Sequence, residues 1–227
     1  MKETKFTFQR YEKKYLLSRE KYQALWQELE PLVEPDRFFQ STVCSVYYDW
    51  EDFRLIRHSL DKPVYKEKLR LRSYNVPGPE DPVFVELKKK YKGVVYKRRV
   101  AMAAADAEAW LAGAAPAPDQ GQISREIDWF LKTNPVSPRV LIACDRRAYA
   151  AKEDRELRIT FDSAIRWRDT DKNSPVISLA VPGTLRKRTR AKVPATASPA
   201  PTLPLTSMIT TVTTGGSRAR DMVSEPV

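Results

Sequence analysis

The chain has 227 residues, 42% of them hydrophobic and 30% charged, which is enough for one domain with a core and excludes a fibrous or wholly disordered protein. Its apolar runs are too short for a transmembrane helix, and its first residues lack the apolar segment of a secretory signal, so we expect a cytoplasmic protein without a membrane span. Forty basic residues against 29 acidic ones, a net charge of +11, predict an anionic partner.

Periodicity and turn residues predict seven strands and four helices. Expected strands cover residues 6–17, 42–48, 64–74, 83–90, 94–101, 139–149 and 156–162. One helix is expected to begin after Ser18, whose side chain suits an N-cap, and the others cover residues 52–60, 103–112 and 123–131. Antiparallel hairpins with helices on the outside indicate an α+β fold, whose strands can close into an antiparallel β-barrel.

The composition changes near residue 180. All 23 aromatic residues lie at or before Trp167, and from Pro182 onward proline, threonine, alanine and serine dominate. A segment of this kind cannot bury enough apolar surface to offset the entropy that it loses on ordering. We therefore predict a folded domain over residues 1–180 and a disordered, basic, Pro/Thr-rich tail over residues 181–227.

The numbers of cysteine and histidine residues limit which disulfides, metal sites and catalytic triads the chain can form. Cys44 and Cys144 could form at most one disulfide, and their positions in predicted strands favour buried thiols in a reducing compartment. The single histidine, His58, falls on a predicted surface helix and is expected to be a bystander. One histidine also disfavours His-rich metal sites and any catalytic triad that needs a histidine base.

Basic residues fall on alternate positions in four of the predicted strands. In the segment 66–72 the even positions are all basic, whereas leucine occupies positions 69 and 71. Since successive side chains of a strand point to opposite faces, each strand gains a cationic face and an apolar face. The residues that share the cationic faces, with the acids in the same register, are Glu12, Lys14, Lys66, Lys68, Arg70, Arg72, Glu86, Lys88, Lys90, Lys97, Arg99, Arg158 and Asp162.

Two interpretations of the cationic faces are open. A single amphipathic strand is most simply a solvated surface. With four such strands, neighbouring like charges repel unless an anion lies among them, and phosphate accepts strong hydrogen bonds from Arg and Lys. Glu12 and Glu86 would repel that phosphate unless Mn²⁺ or Mg²⁺ lay between them. A nucleic-acid groove is less favoured, because it would place aromatic residues on the basic face, and most strand tyrosines alternate away from it.

Six segments, in this order, resemble the triphosphate tunnel superfamily, and most of all the polyphosphate polymerase domain of the vacuolar transporter chaperone (VTC) family. They read RYEKKY (10–15), KLRLR (68–72), VELK (85–88), VVYKRR (94–99), DRRAY (145–149) and LRITFD (157–162). The resemblance covers about residues 5–168. It implies an eight-stranded antiparallel barrel, open at both ends, whose lumen is lined by Lys, Arg and Glu.

The resemblance also implies roles for residues of this sequence. ATP and inorganic polyphosphate are the implied partners, and Mn²⁺ or Mg²⁺ is the implied cofactor. The implied metal ligands are Glu12 and Glu86. The residues implied to bind substrate are Lys14, Lys68, Lys97 and Arg99. The residues implied to be catalytic are Arg70, Arg72, Lys88, Arg146 and Arg158. Lys13, Lys89, Arg98 and Arg147 alternate away from these groups and are expected to meet water.

The sequence departs from the family after residue 168. Family members continue into a strand with an acidic metal ligand, whereas residues 176–183 read VISLAVPG, without Glu or Lys. We therefore expect a barrel that is incomplete at its C-terminus. Three functions stay open: a polyphosphate polymerase impaired by this loss, a catalytically silent polyphosphate- or nucleotide-binding module, and a triphosphatase. The last is least favoured, since Arg10 stands where superfamily phosphatases have the first glutamate of a Glu-x-Glu-x-Lys strand.

Overall fold

The computed structural model describes residues 7–119, 121–154, 156–169, 186–187 and 208–214. These ranges contain nine strands and four helices. In chain order they are β1 Thr7–Leu17, α1 Arg19–Leu29, β2 Val33–Asp49, α2 Arg54–Leu60, β3 Tyr65–Tyr74, β4 Pro82–Tyr91, β5 Val94–Ala103, α3 Ala104–Leu111, α4 Gln122–Thr133, β6 Ser137–Ala151, β7 Arg158–Asp169, β8 Arg186–Lys187 and β9 Met208–Thr214.

The strands form one antiparallel sheet that curls into a barrel. Their hydrogen-bonded order is β6-β2-β3-β4-β5-β1-β9-β7-β8, and β6 also pairs with β7, which brings the two ends of the sheet together. The hairpins β3–β4 and β4–β5 set the registers at the centre of the sheet. With four helices beside the sheet, this is the α+β fold with an antiparallel sheet that the sequence predicted.

Two strands come from the segment for which the sequence predicted a disordered tail. β9 pairs with β1 on one side and with β7 on the other, and β8 pairs with the end of β7. Neither strand was expected from the sequence, because composition averaged over the whole tail hides a local run of β-branched residues in Met208–Thr214. The other residues of the predicted tail, and the segment 170–185, lie outside the described residues.

Strand β2 also differs from its prediction. It begins at Val33 rather than near residue 42, and its first part pairs with the far end of β6, Val33 opposite Ala151. A register shift between Pro35 and Gln40 interrupts the pairing. This irregularity breaks the two-residue alternation by which strands are recognised, so the first part of β2 had no periodic signal.

The main hydrophobic core lies outside the barrel wall, between the sheet and helices α3 and α4. Leu69 and Leu71 of β3 and Leu87 of β4 are buried there against Ile127 and Phe130 of α4. Burying each such side chain stabilises the fold by about 1.5–3 kcal/mol. Because these residues occupy the odd positions of their strands, the even, mostly charged positions must face the other side of the wall.

Helix α1 covers a second, aromatic part of the outer wall. Its N-cap Ser18 accepts a hydrogen bond from the backbone N–H of Lys21 at 3.3 Å. Tyr22 lies edge-on to Phe161 of β7, with ring centroids 5.1 Å apart. Among the described residues, no helix is long and apolar enough to cross a membrane.

Candidate functional site

The charged faces of β3, β4 and β5, at even positions of β3 and β4 and odd positions of β5, meet in two rows across the sheet. In the first, here called the lysine row, Lys68, Lys88 and Lys97 lie directly opposite one another. In the second, the arginine row, Glu86 lies between Arg70 and Arg99. The structure thus brings together the charged residues that the alternation placed on one face of each strand.

A contact between strands that are not neighbours shows that this face is the lumen of the barrel. Lys88 Nζ of β4 lies 3.2 Å from Glu12 Oε2 of β1, although β5 separates the two strands in the sheet. Side chains can meet over an intervening strand only on the concave side of a curved sheet. The cations of the two rows therefore point inward.

Glu86 is the buried centre of the arginine row. Its side chain is 0% exposed, and its Oε2 accepts hydrogen bonds from Arg70 Nε at 2.7 Å and Arg70 Nη2 at 2.6 Å. Lys97 Nζ lies 2.6 Å from Oε1, and Arg72 Nε lies 3.9 Å from Oε2. Burial alone would raise the pKa of Glu86, but the charges of Arg70, Arg72 and Lys97 outweigh it and lower this pKa to about 2.

The lysine row carries more positive charge than its partners neutralise. Burial lowers the pKa of Lys97 to about 8 despite the nearby Glu86, and burial also lowers the pKa of Lys88 despite Glu12. Burial and the neighbouring cations lower the pKa of Lys68, which has no acidic partner within 4 Å among the residues that the structure describes. The lysine row is therefore a favourable binding site for an anion.

Glu12 is the second carboxylate of the lumen. Its oxygens lie 3.1 Å from Lys14 Nζ and 3.2 Å from Lys88 Nζ. Burial opposes its ionisation, but the charges of Lys88 and Lys14 outweigh burial and lower the pKa of Glu12 to about 2. Lys14 stays 60% exposed, so it lies at the open edge of the cluster.

Strand β2 adds two polar residues that the sequence interpretation missed. The hydroxyl of Tyr47 accepts a hydrogen bond from Arg70 Nη1 at 3.1 Å, and Ser45 Oγ accepts one from Arg72 Nε at 3.2 Å. Burial disfavours the phenolate of Tyr47, but Arg70 and Arg72 lower its pKa to about 8. The sequence signal that could have found them is the alternation of β2, since positions 45 and 47 share one face of the strand. In the sheet they lie opposite Arg72 and Arg70.

Two of the predicted site residues are engaged by aspartates. Arg146 makes a bidentate ion pair with Asp162, which lies directly opposite it in the sheet. Both nitrogen–oxygen distances are 2.6 Å. Arg158 binds Asp36 at 2.7 Å and its side chain is 44% exposed. The structure thus gathers the predicted residues of β1, β3, β4 and β5, whereas Arg146 and Arg158 pair with aspartates.

The sequence model of the VTC domain family matches residues 9–198. The chain belongs to the VTC domain family. Among solved structures, a candidate adenylate cyclase from Bacillus halodurans is similar in fold, with a TM-score of 0.52 at 12% identity over 92% of this chain and 82% of that one. A protein from Pyrococcus horikoshii reaches a TM-score of 0.39 at 10% identity, over 92% of this chain and 80% of its own. No curated protein matches the sequence significantly.

The carboxylates of this VTC domain do not fit a divalent cation as the structure holds them. Each oxygen of Glu12 and Glu86 lies between 2.6 and 3.2 Å from a Lys or Arg nitrogen, so a metal would have to displace a cation to reach it. Within the described ranges, no three His, Cys, Asp or Glu side chains form a group that could hold one. The two residues expected as metal ligands act here as partners of the lumen cations.

Residues on the outer face have partners of another kind. Lys89 and Arg98, which were expected to meet water, both pair with Glu126 of α4, at 2.5 and 3.1 Å. They face outward as predicted, but they anchor a helix instead of being solvated.

The ring of His58 contacts the backbone carbonyl of Tyr65 at 3.2 Å. Both cysteines are free thiols, and Cys44 is buried.

Proposed function

We propose that the lumen of this VTC domain binds the triphosphate of ATP together with inorganic polyphosphate and transfers the γ-phosphoryl group to the end of the polyphosphate chain. One observation carries the proposal: in the described parts of β1, β3, β4 and β5, at least seven cations lie beside two carboxylates on the lumen face. The cations are Lys14, Lys68, Arg70, Arg72, Lys88, Lys97 and Arg99, and the carboxylates are Glu12 and Glu86. Only a guest with several negative charges along its length can neutralise such a lining.

The arginines and lysines would have different tasks in the transfer. Arg70 and Arg72 present planar guanidinium groups, which grip phosphate in a two-pronged geometry, whereas Lys88 and Lys97 are compact point charges. A terminal oxygen of the chain attacks the γ-phosphorus in line, the bond to the β–γ bridging oxygen breaks, and ADP leaves. No protein nucleophile is needed, because positioning and charge stabilisation carry such a reaction. Mn²⁺ or Mg²⁺ belongs to the proposal only as a counterion of the substrate phosphates.

A second candidate is a polyphosphate- or nucleotide-binding module without catalysis. It is favoured by the two lumen carboxylates, all of whose oxygens are engaged by cations. Residues 176–183 also contain no acidic residue where the family resemblance leads one to expect a metal ligand. Both candidates require the lumen to bind a phosphate chain, so binding is tested first.

Neighbouring lysines on opposite faces of β4 provide a matched test of binding. Lys88 and Lys89 each make an ion pair with a glutamate, and their side chains are 30% and 24% exposed. A lost charge-assisted hydrogen bond costs about 1.5–3 kcal/mol, so Lys88→Ala should weaken polyphosphate binding roughly tenfold or more in isothermal titration calorimetry. Lys89→Ala should leave the affinity unchanged. Equal losses in the two variants would place the polyanion outside the lumen.

Product analysis separates the two candidates and the triphosphatase. Purified protein is incubated with ATP and Mn²⁺, and the products are separated on a gel stained for polyphosphate. Long chains indicate a polymerase, and free phosphate without chains indicates a triphosphatase. Tight polyphosphate binding without either product indicates the binding module. Chain synthesis that survives in the Arg70→Ala/Arg72→Ala double variant would exclude the mechanism proposed for the arginines.

A further inference from the structure

One end of the cationic face carries two aromatic side chains. Phe84 of β4 lies directly opposite Arg72 of β3 and shares the inward face of Glu86 and Lys88. Tyr74, two residues beyond Arg72 on the same face of β3, lies edge-on to Phe84, with ring centroids 5.9 Å apart and an interplanar angle of 81°. The aromatic pair therefore lies beyond the arginine row, toward one mouth of the barrel.

The two rings differ in what they offer to a ligand. The guanidinium of Arg99 lies 4.7 Å from the ring centroid of Phe84, which is half-buried and held between that cation and Tyr74. Tyr74 is 41% exposed, so its ring presents a free surface beside the arginines. Phe84 thus positions Tyr74, and Tyr74 is the ring that a planar ligand can reach.

The opposite end of the same strands is lined by lysine. Beyond the lysine row, Lys66 lies opposite Lys90, and no aromatic residue occupies these two positions. The tyrosines at that end, Tyr65 and Tyr91, are paired with each other at odd positions and so point to the outer face. From one mouth to the other, the face therefore changes from aromatic through arginine to lysine.

We propose that Tyr74, supported by Phe84, is a nucleobase subsite that orients the nucleotide in the lumen. The base stacks on Tyr74, the triphosphate runs along Arg72 and Arg70 toward the lysine row, and the phosphate chain occupies the end marked by Lys90. Four residues of β3 separate Tyr74 from Arg70, about 13 Å at the rise of a strand, which matches the reach from a purine to the terminal phosphates of an extended nucleotide. This inference rests on the proposed function.

The subsite predicts a difference between a nucleotide and a bare phosphate chain. ATP and inorganic tripolyphosphate share the triphosphate, and only ATP has a base. Because stacking of a base on an aromatic ring is substantial, Tyr74→Ala should weaken ATP binding about tenfold in isothermal titration calorimetry and leave tripolyphosphate binding unchanged. Tyr74→Phe, which keeps the ring, should bind both ligands like the wild type. Tyr91→Ala removes a ring of similar exposure (46%) from the outer face and should affect neither ligand.

The outcomes distinguish this inference from the proposed function. If the wild type binds neither ATP nor tripolyphosphate, the proposed function fails and the subsite fails with it. If both ligands bind but Tyr74→Ala weakens neither, or weakens both equally, only the subsite is wrong. A loss in Tyr74→Phe as large as in Tyr74→Ala also overturns it, since the ring would not be what binds. Tyr74→Leu replaces the alanine variant if circular dichroism shows that the latter is unfolded.

Discussion

Replacing Glu86 by glutamine should lower the stability of the protein and strengthen its binding of polyphosphate at the same time. The change keeps the shape of the side chain and removes its charge. It leaves Arg70 and Lys97, which lie 2.6 Å from the carboxylate oxygens, without the anion that neutralises them. An incoming phosphate chain then supplies the missing negative charge, so the same substitution that weakens the fold favours the ligand.

The size of the effect follows from burial and charge. Glu86 is fully buried, and its pKa is lowered from 4.5 to about 2. Each pKa unit is worth about 1.4 kcal/mol, so the ionised form stabilises the fold by about 3 kcal/mol. Removing one partner of a buried ion pair typically costs about 3–5 kcal/mol, in agreement with this value. Since the lowered pKa belongs to an acid, this contribution is present above about pH 4.5 and is lost as the pH falls toward 2.

Chemical denaturation followed by tryptophan fluorescence, with and without polyphosphate, measures both effects. Glu86→Gln should lose about 3 kcal/mol of unfolding free energy, and polyphosphate at a hundred times its Kd should restore about 2.7 kcal/mol. The matched control is Glu126→Gln, which removes a carboxylate that also pairs with two cations but lies on the outer face, with 22% exposure. It should cost about 1 kcal/mol or less and leave the affinity unchanged. A Glu86→Gln variant that is as stable as the wild type, or that binds polyphosphate no more tightly, refutes the reasoning.

Three further predictions concern pH, packing and thiols. Because the pKa of Lys97 is lowered to about 8, polyphosphate affinity should fall as the pH rises through about 8, and Lys97→Arg should reduce this dependence; titrations on both sides of that pH check it. Ile127→Ala opens a cavity in the outer core and should cost about 2–5 kcal/mol in denaturation, with the polyphosphate affinity of the folded protein unchanged. Thiol titration of the unfolded chain without reductant should find both Cys44 and Cys144 reactive, and an unreactive pair would contradict their free state.

The rows of the candidate site could be predicted almost completely from the sequence. Alternation assigns Lys68, Arg70, Glu86, Lys88 and Lys97 to one face of their strands, because the two-residue period belongs to each strand by itself. The turns at residues 75–81 and 92–93 join β3, β4 and β5 as sequential hairpins. Antiparallel pairing of sequential strands then places these residues beside one another in the two rows.

Other parts of the site had no local signal. Glu12 and Lys88 are 76 residues apart in sequence, and their contact depends on how the sheet curves over β5. Arg146 and Arg158 have the residue type of phosphate-binding groups, but Asp162 and Asp36 engage them. Pairing of this kind is decided by which strands become neighbours, which no property of a single strand predicts. The pairing of strand β9 likewise depends on tertiary structure, since it needs the open edges of both β1 and β7.

The amino-acid sequence by itself determined that each central strand has a charged side and an apolar side, since alternation needs nothing beyond an extended backbone. It also determined the family, through short charged segments that occur in a set order. Only the tertiary structure decided which side is the inside. Helices α3 and α4 cover the apolar side, so the sheet curls with its charges inward, and the same curvature turns separate cationic strands into one lumen around the buried carboxylate of Glu86.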